Sequence, residues 1–181
     1  MEIIPTNISD VLLLKPEVYE DDRGFFLETF RVEHLAKQGV DVRFVQDNLS
    51  KSQKNTVRGL HYQIEQQQDK LLMAMQGTIL DVAVDLRRDS DTFGQHVATE
   101  LSADNKHQLF IPKGFGHGFS VLSDSALVYY KCSDYYYPEG ERGLFWNDPE
   151  LNIDWKVRDP IISEKDQQQP KLNEIPKKDL F

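Results

Sequence analysis

The sequence predicts an all-β domain, and three observations carry that expectation. Short apolar or alternating runs rich in Val, Ile, Leu, Phe and Tyr recur along the chain, clusters of Gly, Pro, Asn, Asp and Ser interrupt them, and only one segment shows a clear helical pattern. This punctuation suits a two-sheet barrel or sandwich. In order, the runs are VLLLKPEVY (11–19), FFLETF (25–30), RFVQDNLS (43–50), VRGLHYQ (57–63), KLLMAMQ (70–76), TILDVAVDL (78–86), HVATELS (96–102), HQLFI (107–111), HGFSVLS (117–123) and ALVYYKCSDYY (126–136). Alternation is clearest in 79–86, where Leu80, Val82, Val84 and Leu86 fall on one face and Asp81 and Asp85 on the other. VEHLAKQG (32–39) reads as a short helix stopped by Gly39, at the position where a left-handed residue ends many helices. The stretch from 163 onward, SEKDQQQPKLNEIPKKDLF, is polar, has room for one helical turn, and by composition is expected to be peripheral and mobile.

At 181 residues the chain is expected to be a single domain, 1–181, ending in a tail at about 167–181. A chain of this size buries roughly 70% of its unfolded surface, enough for a core without staples. Cys132 is the only cysteine, which excludes an intrachain disulfide and a multi-cysteine zinc site and fits a reducing compartment. A net charge of -9 argues against nucleic-acid backbones and anionic membranes as partners, so an anionic ligand needs a local basic pocket. With no signal-type N-terminus and no apolar run near 18 residues, the expected location is the cytoplasm.

Five histidines are present, at 34, 61, 96, 107 and 117. His61 sits in VRGLHYQ beside Arg58 and Gly59, and His117 in PKGFGHGF, where glycines let the backbone bring an imidazole close to a ligand. Taken singly, each reads equally well as a half-buried histidine bonded to a neighbour. Arg23 and Glu28 bracket Phe25, Phe26 and Leu27, a pattern that a solvated turn also produces. Arg58, Lys70 and Lys165 are further cations suited to a diphosphate. Tyr129 and Tyr130 are consecutive in a strand, so one faces in and the other out. Asp166 reads as an exposed carboxylate near a helix start.

PKGFGHG resembles the second motif of the cupin superfamily, a double-stranded β-helix of jelly-roll type. Metal-binding cupins usually add a His-x-His pair from their first motif. Here Gln63 stands two residues after His61, so no metal site is expected.

The ordered set DDRGFFLETF, FVQDNLSKS, VRGLHYQ, DKLL, GTILDVAVDLR, FGQHV, IPKGFGHGF, YYKCSDYYYPEGERG, WNDP and SEKDQQQP strongly resembles the dTDP-4-dehydrorhamnose 3,5-epimerase family from about residue 8 to about 170. The resemblance implies a homodimeric cupin-type jelly roll with short peripheral helices that uses no cofactor. It implies epimerisation of dTDP-4-dehydro-6-deoxy-D-glucose at carbons 3 and 5. By the same resemblance His61 is the base, Asp166 its partner carboxylate, Tyr130 the proton donor and Lys70 the group facing the enolate oxygen. Arg23, Glu28, Gln46, Asp47, Asn48, Arg58, His117, Glu141 and Lys165 are implied substrate contacts, with Asp81 supporting the pocket from behind. Gly116 departs from the alanine frequent there.

Two rivals remain open at this stage: an enzyme that epimerises only carbon 3 or carbon 5, and a non-catalytic cupin that binds a sugar nucleotide. Tyr130 favours the double reaction over the first, and the set His61, Asp166, Tyr130 and Lys70 disfavours the second. One geometric conflict also stands. Strict alternation puts Arg58 and His61 on opposite faces of one strand, unless a bulge at Gly59 re-aims one or a neighbouring subunit's site takes it.

Overall fold

A strand with both faces buried cannot leave either face polar and unpaired, and that requirement shapes the observed architecture. In the computed structural model, which describes residues 1–181, thirteen strands form. They are β1 (Glu2–Pro5), β2 (Leu12–Lys15), β3 (Val18–Asp21), β4 (Gly24–Leu27), β5 (Gln46–Gln53), β6 (Val57–Gln63), β7 (Lys70–Gln76), β8 (Thr78–Asp85), β9 (His96–Ser102), β10 (Gln108–Ile111), β11 (Phe115–Val121), β12 (Ser125–Cys132) and β13 (Glu141–Gly143). One sheet has the order β1-β2-β10-β7-β12-β5, the second β13-β6-β11-β8-β9, and β3-β4 form a separate hairpin, all pairs antiparallel.

The two sheets face each other across a core that includes Leu72, Ile79, Val97, Leu109, Phe115, Phe119 and Val128. This is the jelly-roll arrangement expected from the sequence. The run 11–19 divides at Pro16, which has no N–H for a ladder, into β2 and β3. The expected helix is real but short, α1 (Val32–Ala36), and Leu35 pins it to the outer face of the first sheet with Leu12, Leu14, Leu71 and Phe110. The sequence reading missed β1 and β13, which have only four and three residues and so too little length for a period of two to register.

The polar face of β8 is an interior face: Asp81 and Asp85 are both fully buried, because Leu80, Val82 and Val84 pack outward under a second core while the aspartates point inward, Asp81 beside His117. Asp85 is satisfied there by Arg87, Ser90 and Thr92, and those bonds outweigh its burial to bring its pKa to about 2. One expectation needs correction: the polar C-terminal segment is not peripheral. Leu172 and Ile175 are buried against Leu60, Tyr62, Leu144 and Trp155, with Leu180 and Phe181 packed on the same cluster. Tyr62 donates its hydroxyl to the Asp179 carbonyl at 2.9 Å, and Arg142 binds the Asp179 carboxylate at 2.9 Å. Composition misses this because a few apolar side chains among many polar ones suffice to dock a strap.

Ile175→Ala is expected to destabilise the chain by about 2 to 4 kcal/mol, since it empties a buried site. Urea unfolding measures this, and an unchanged midpoint would mean that the strap does not pack in solution.

Candidate active site

The site begins with an irregularity in β6. His117 of β11 pairs with His61, and Phe119 pairs with Arg58, so β6 spends three residues where β11 spends two. The extra residue is a bulge at Gly59, whose φ of 107° disfavours side chains and whose absent Cβ would lie 2.5 Å from the His117 carbonyl oxygen. The bulge resolves the parity conflict. Val57, Leu60 and Tyr62 turn to the outer core, while Arg58 and His61 both line the interior cavity. Gly118 belongs to the same contact, since a Cβ there would meet the Arg58 carbonyl oxygen at 2.6 Å. Gly118 beside His117 thus makes room for the β6 backbone, and both residues line the cavity.

Asp166 arrives from the other end of the chain. Ile161 bridges in parallel to Thr56 at the start of β6, and the four-residue helix α2 (Glu164–Gln167) follows, capped by Ser163, whose Oγ accepts the Asp166 N–H. This sets Asp166 Oδ1 2.6 Å from His61 Nε2, while the Gly59 amide donates to Oδ2 at 3.2 Å. Burial acts to raise the Asp166 carboxyl, but the bonds from His61, Gly59 and Ser163 win and hold it below its ordinary value.

The cavity, about 770 Å³, is also lined by Lys70, His117, Tyr130 and Lys165. Lys70 and Tyr130 project from β7 and β12 of the first sheet, facing His61 on the second. Burial holds the Lys70 ammonium below its usual pKa, with Cys132, Asp81 and Glu141 pulling the other way. Burial also raises the Tyr130 phenol, and Arg58 draws it back. His117 is backed by Asp81, 3.0 Å away, a carboxyl raised by burial and lowered by His117 and Lys70. Glu141 does not line this cavity but binds Lys165, which does.

The remaining expected residues are distributed as follows. Gln46 and Asn48 share the inward side of β5 and bond to each other at 3.1 Å. Asp47 and Tyr129 point to the other side, where Tyr129 and Lys131 both bond to the Asp47 carboxylate. Arg23 and Glu28 lie at the exposed hairpin, engaged with Asp21 and Arg31, and do not reach this chain's cavity. Ser50 and Ser52 were missed, although they line the cavity and continue the inward row Gln46, Asn48, Ser50, Ser52 at a period of two.

A jelly-roll interior that sets a histidine–carboxylate pair against a tyrosine and a buried lysine belongs to the acid–base enzymes of the cupin class. The family profile for dTDP-4-dehydrorhamnose 3,5-epimerase matches residues 5–174. The chain is 55% identical over 163 residues to the dTDP-4-dehydrorhamnose 3,5-epimerase of Pseudomonas aeruginosa, covering 89% of this chain and 90% of that protein. It is 51% identical over 180 residues to that of Escherichia coli K12, covering 97% and 96%. A crystal structure of a dTDP-6-deoxy-D-glucose-3,5-epimerase from Legionella pneumophila, in complex with dTDP-4-keto-L-rhamnose, superposes with a TM-score of 0.96 at 48% identity over 99% of this chain and 96% of that one. The chain belongs to the dTDP-4-dehydrorhamnose 3,5-epimerase family.

The lowered Asp166 pKa fixes a sign. A carboxylate whose folded value lies below its unfolded one, about 4, stabilises the fold fully above that value and loses its contribution as pH falls through the folded value. The stability gap between the parent and Asp166→Asn is expected to persist down to about pH 4 and to shrink below it. Urea unfolding at several pH values measures the gap, and one that is the same at every pH would refute an ionised Asp166.

Proposed function

We propose that His61, Asp166, Tyr130 and Lys70 carry out the reaction of this family, epimerisation of dTDP-4-dehydro-6-deoxy-D-glucose at carbons 3 and 5 to dTDP-4-dehydro-L-rhamnose. The single observation that supports these roles is placement on opposite walls: His61 on the second sheet and Tyr130 on the first, with the cavity between them. A flat sugar held there presents one face to each.

The 4-keto group acidifies the hydrogens on carbons 3 and 5. His61 takes a proton from one face, and Asp166 holds the ring in place and stabilises its charged form. Electron density moves onto the ketone oxygen, where the Lys70 ammonium stabilises the enolate. Tyr130 then protonates carbon from the opposite face, its phenol kept protonated by burial. Arg58, with Lys165 near the rim, binds the diphosphate, which the net charge of -9 leaves to local cations.

Two further parts of the reading concern assembly and location. The hairpin β3-β4 carries Phe25 and Phe26 at 61% and 71% exposure, and β5 is an open edge strand with Leu49 exposed. Such surfaces suit a homodimer, in which Arg23 and Glu28 serve the partner's site. The chain has no helix long and apolar enough to cross a membrane, and with its lone buried Cys132 a cytoplasmic location fits.

Incubation with the substrate in heavy water, read by NMR, should label carbons 3 and 5. His61→Ala should abolish both labels while dTDP still binds, and Tyr130→Phe should keep exchange but slow turnover by on the order of 100-fold. A His61→Ala chain that labels normally would remove His61 as the base. Sedimentation should give twice the chain mass of 21.0 kDa, and a monomer with full activity would refute the shared site.

A further inference from the structure

The inward row of β5 is polar throughout, and three of its four side chains have partners. Gln46 and Asn48 bond to each other at 3.1 Å, Asn48 also reaches the Cys132 sulfur at 3.6 Å, and Ser52 Oγ accepts from Arg58 Nε at 2.9 Å. Ser50 Oγ has none, and it is the one buried side-chain oxygen or nitrogen of the whole chain without a hydrogen bond. Across the strand pair it faces Val128, an apolar residue that can offer its hydroxyl nothing. A buried hydroxyl left unpaired costs free energy that alanine at the same position would not. Its position therefore points to a ligand atom.

The surroundings identify that atom. Ser50 lines the cavity, one step along the row from Asn48, which pairs with Tyr130, and one step from Ser52, which holds Arg58. Tyr130 marks the sugar end and Arg58 the diphosphate end. The Arg58 bond to Ser52 uses Nε only, so both terminal NH2 groups remain for phosphate oxygens. We propose that Ser50 is a substrate-binding residue whose hydroxyl donates to a non-bridging oxygen of the phosphate that carries the sugar, beside the Arg58 guanidinium. Rotation about the single χ1 torsion of serine turns the hydroxyl to the cavity. The inference rests on the reading of Arg58 as the diphosphate ligand.

Titration calorimetry of the full chain with dTDP and with dTMP, together with thermal unfolding, tests the idea. Ser50→Ala is expected to weaken dTDP binding about 10-fold, as loss of one hydrogen bond to a charged group does. It should leave dTMP affinity unchanged, because dTMP lacks the phosphate in question, and should not lower the melting temperature. Unchanged dTDP affinity in Ser50→Ala, alongside a large loss in Arg58→Met, would overturn the Ser50 contact alone. Equal losses for both nucleotides with a lowered melting temperature would make Ser50 structural and also overturn it. Unchanged dTDP affinity in Arg58→Met would overturn the diphosphate reading beneath it.

Discussion

The hydrogen bond between His61 and Asp166 joins residues 105 apart, and much of the molecule is arranged to make it. A carboxylate buried near an apolar core is tolerable only when its oxygens are bonded. Asp166 has both oxygens engaged, one by the imidazole and one by the Gly59 amide. The second bond exists because the bulge turns that amide out of the ladder toward α2. The irregularity that aims His61 into the cavity thus also supplies the donor that fixes its partner.

The outer core is the other half of that constraint. Leu60 and Tyr62 flank His61 in β6 and point away from the cavity, where Leu172, Ile175 and Trp155 cover them. The packing behind the strand and the chemistry in front of it are set by the same alternation. With Tyr62 tied to Asp179 and Arg142 tied to the same residue, the C-terminal strap closes over β6 after α2 has delivered Asp166. Stability of the strap and position of the Asp166 carboxylate are therefore linked through a short stretch of chain.

The buried charges of the cavity form a chain of partial compensations. Asp81 backs His117 and lies close enough to Lys70 for each to offset the other's burial, and Glu141 acts on both Lys70 and Lys165. A lysine with a weakened preference for its charged form responds strongly to a negative charge that develops beside it, which suits the enolate-stabilising role proposed for Lys70.

Much of this was written in the sequence. Strands such as β6, β7 and β9 match their apolar runs residue for residue, because a strand buried on one or both faces must repeat apolar side chains at short range. The motifs RGLH, DKLL, YYKC and SEKD carry His61, Lys70, Tyr130 and Asp166, residues whose chemistry is local to their side chains. Three-dimensional structure alone decided the rest. That Arg58 and His61 share a face depends on a backbone approach between Gly59 and His117, which no periodicity encodes. That Asp85 is interior depends on which sheet covers β8, that a polar tail is a strap depends on the groove awaiting Ile175 and Leu172, and that Ser50 lacks a partner depends on Val128 lying opposite. Alternation and side-chain chemistry are properties of neighbours in sequence. Burial, register and hydrogen-bond satisfaction are properties of neighbours in space, and only the folded chain defines those.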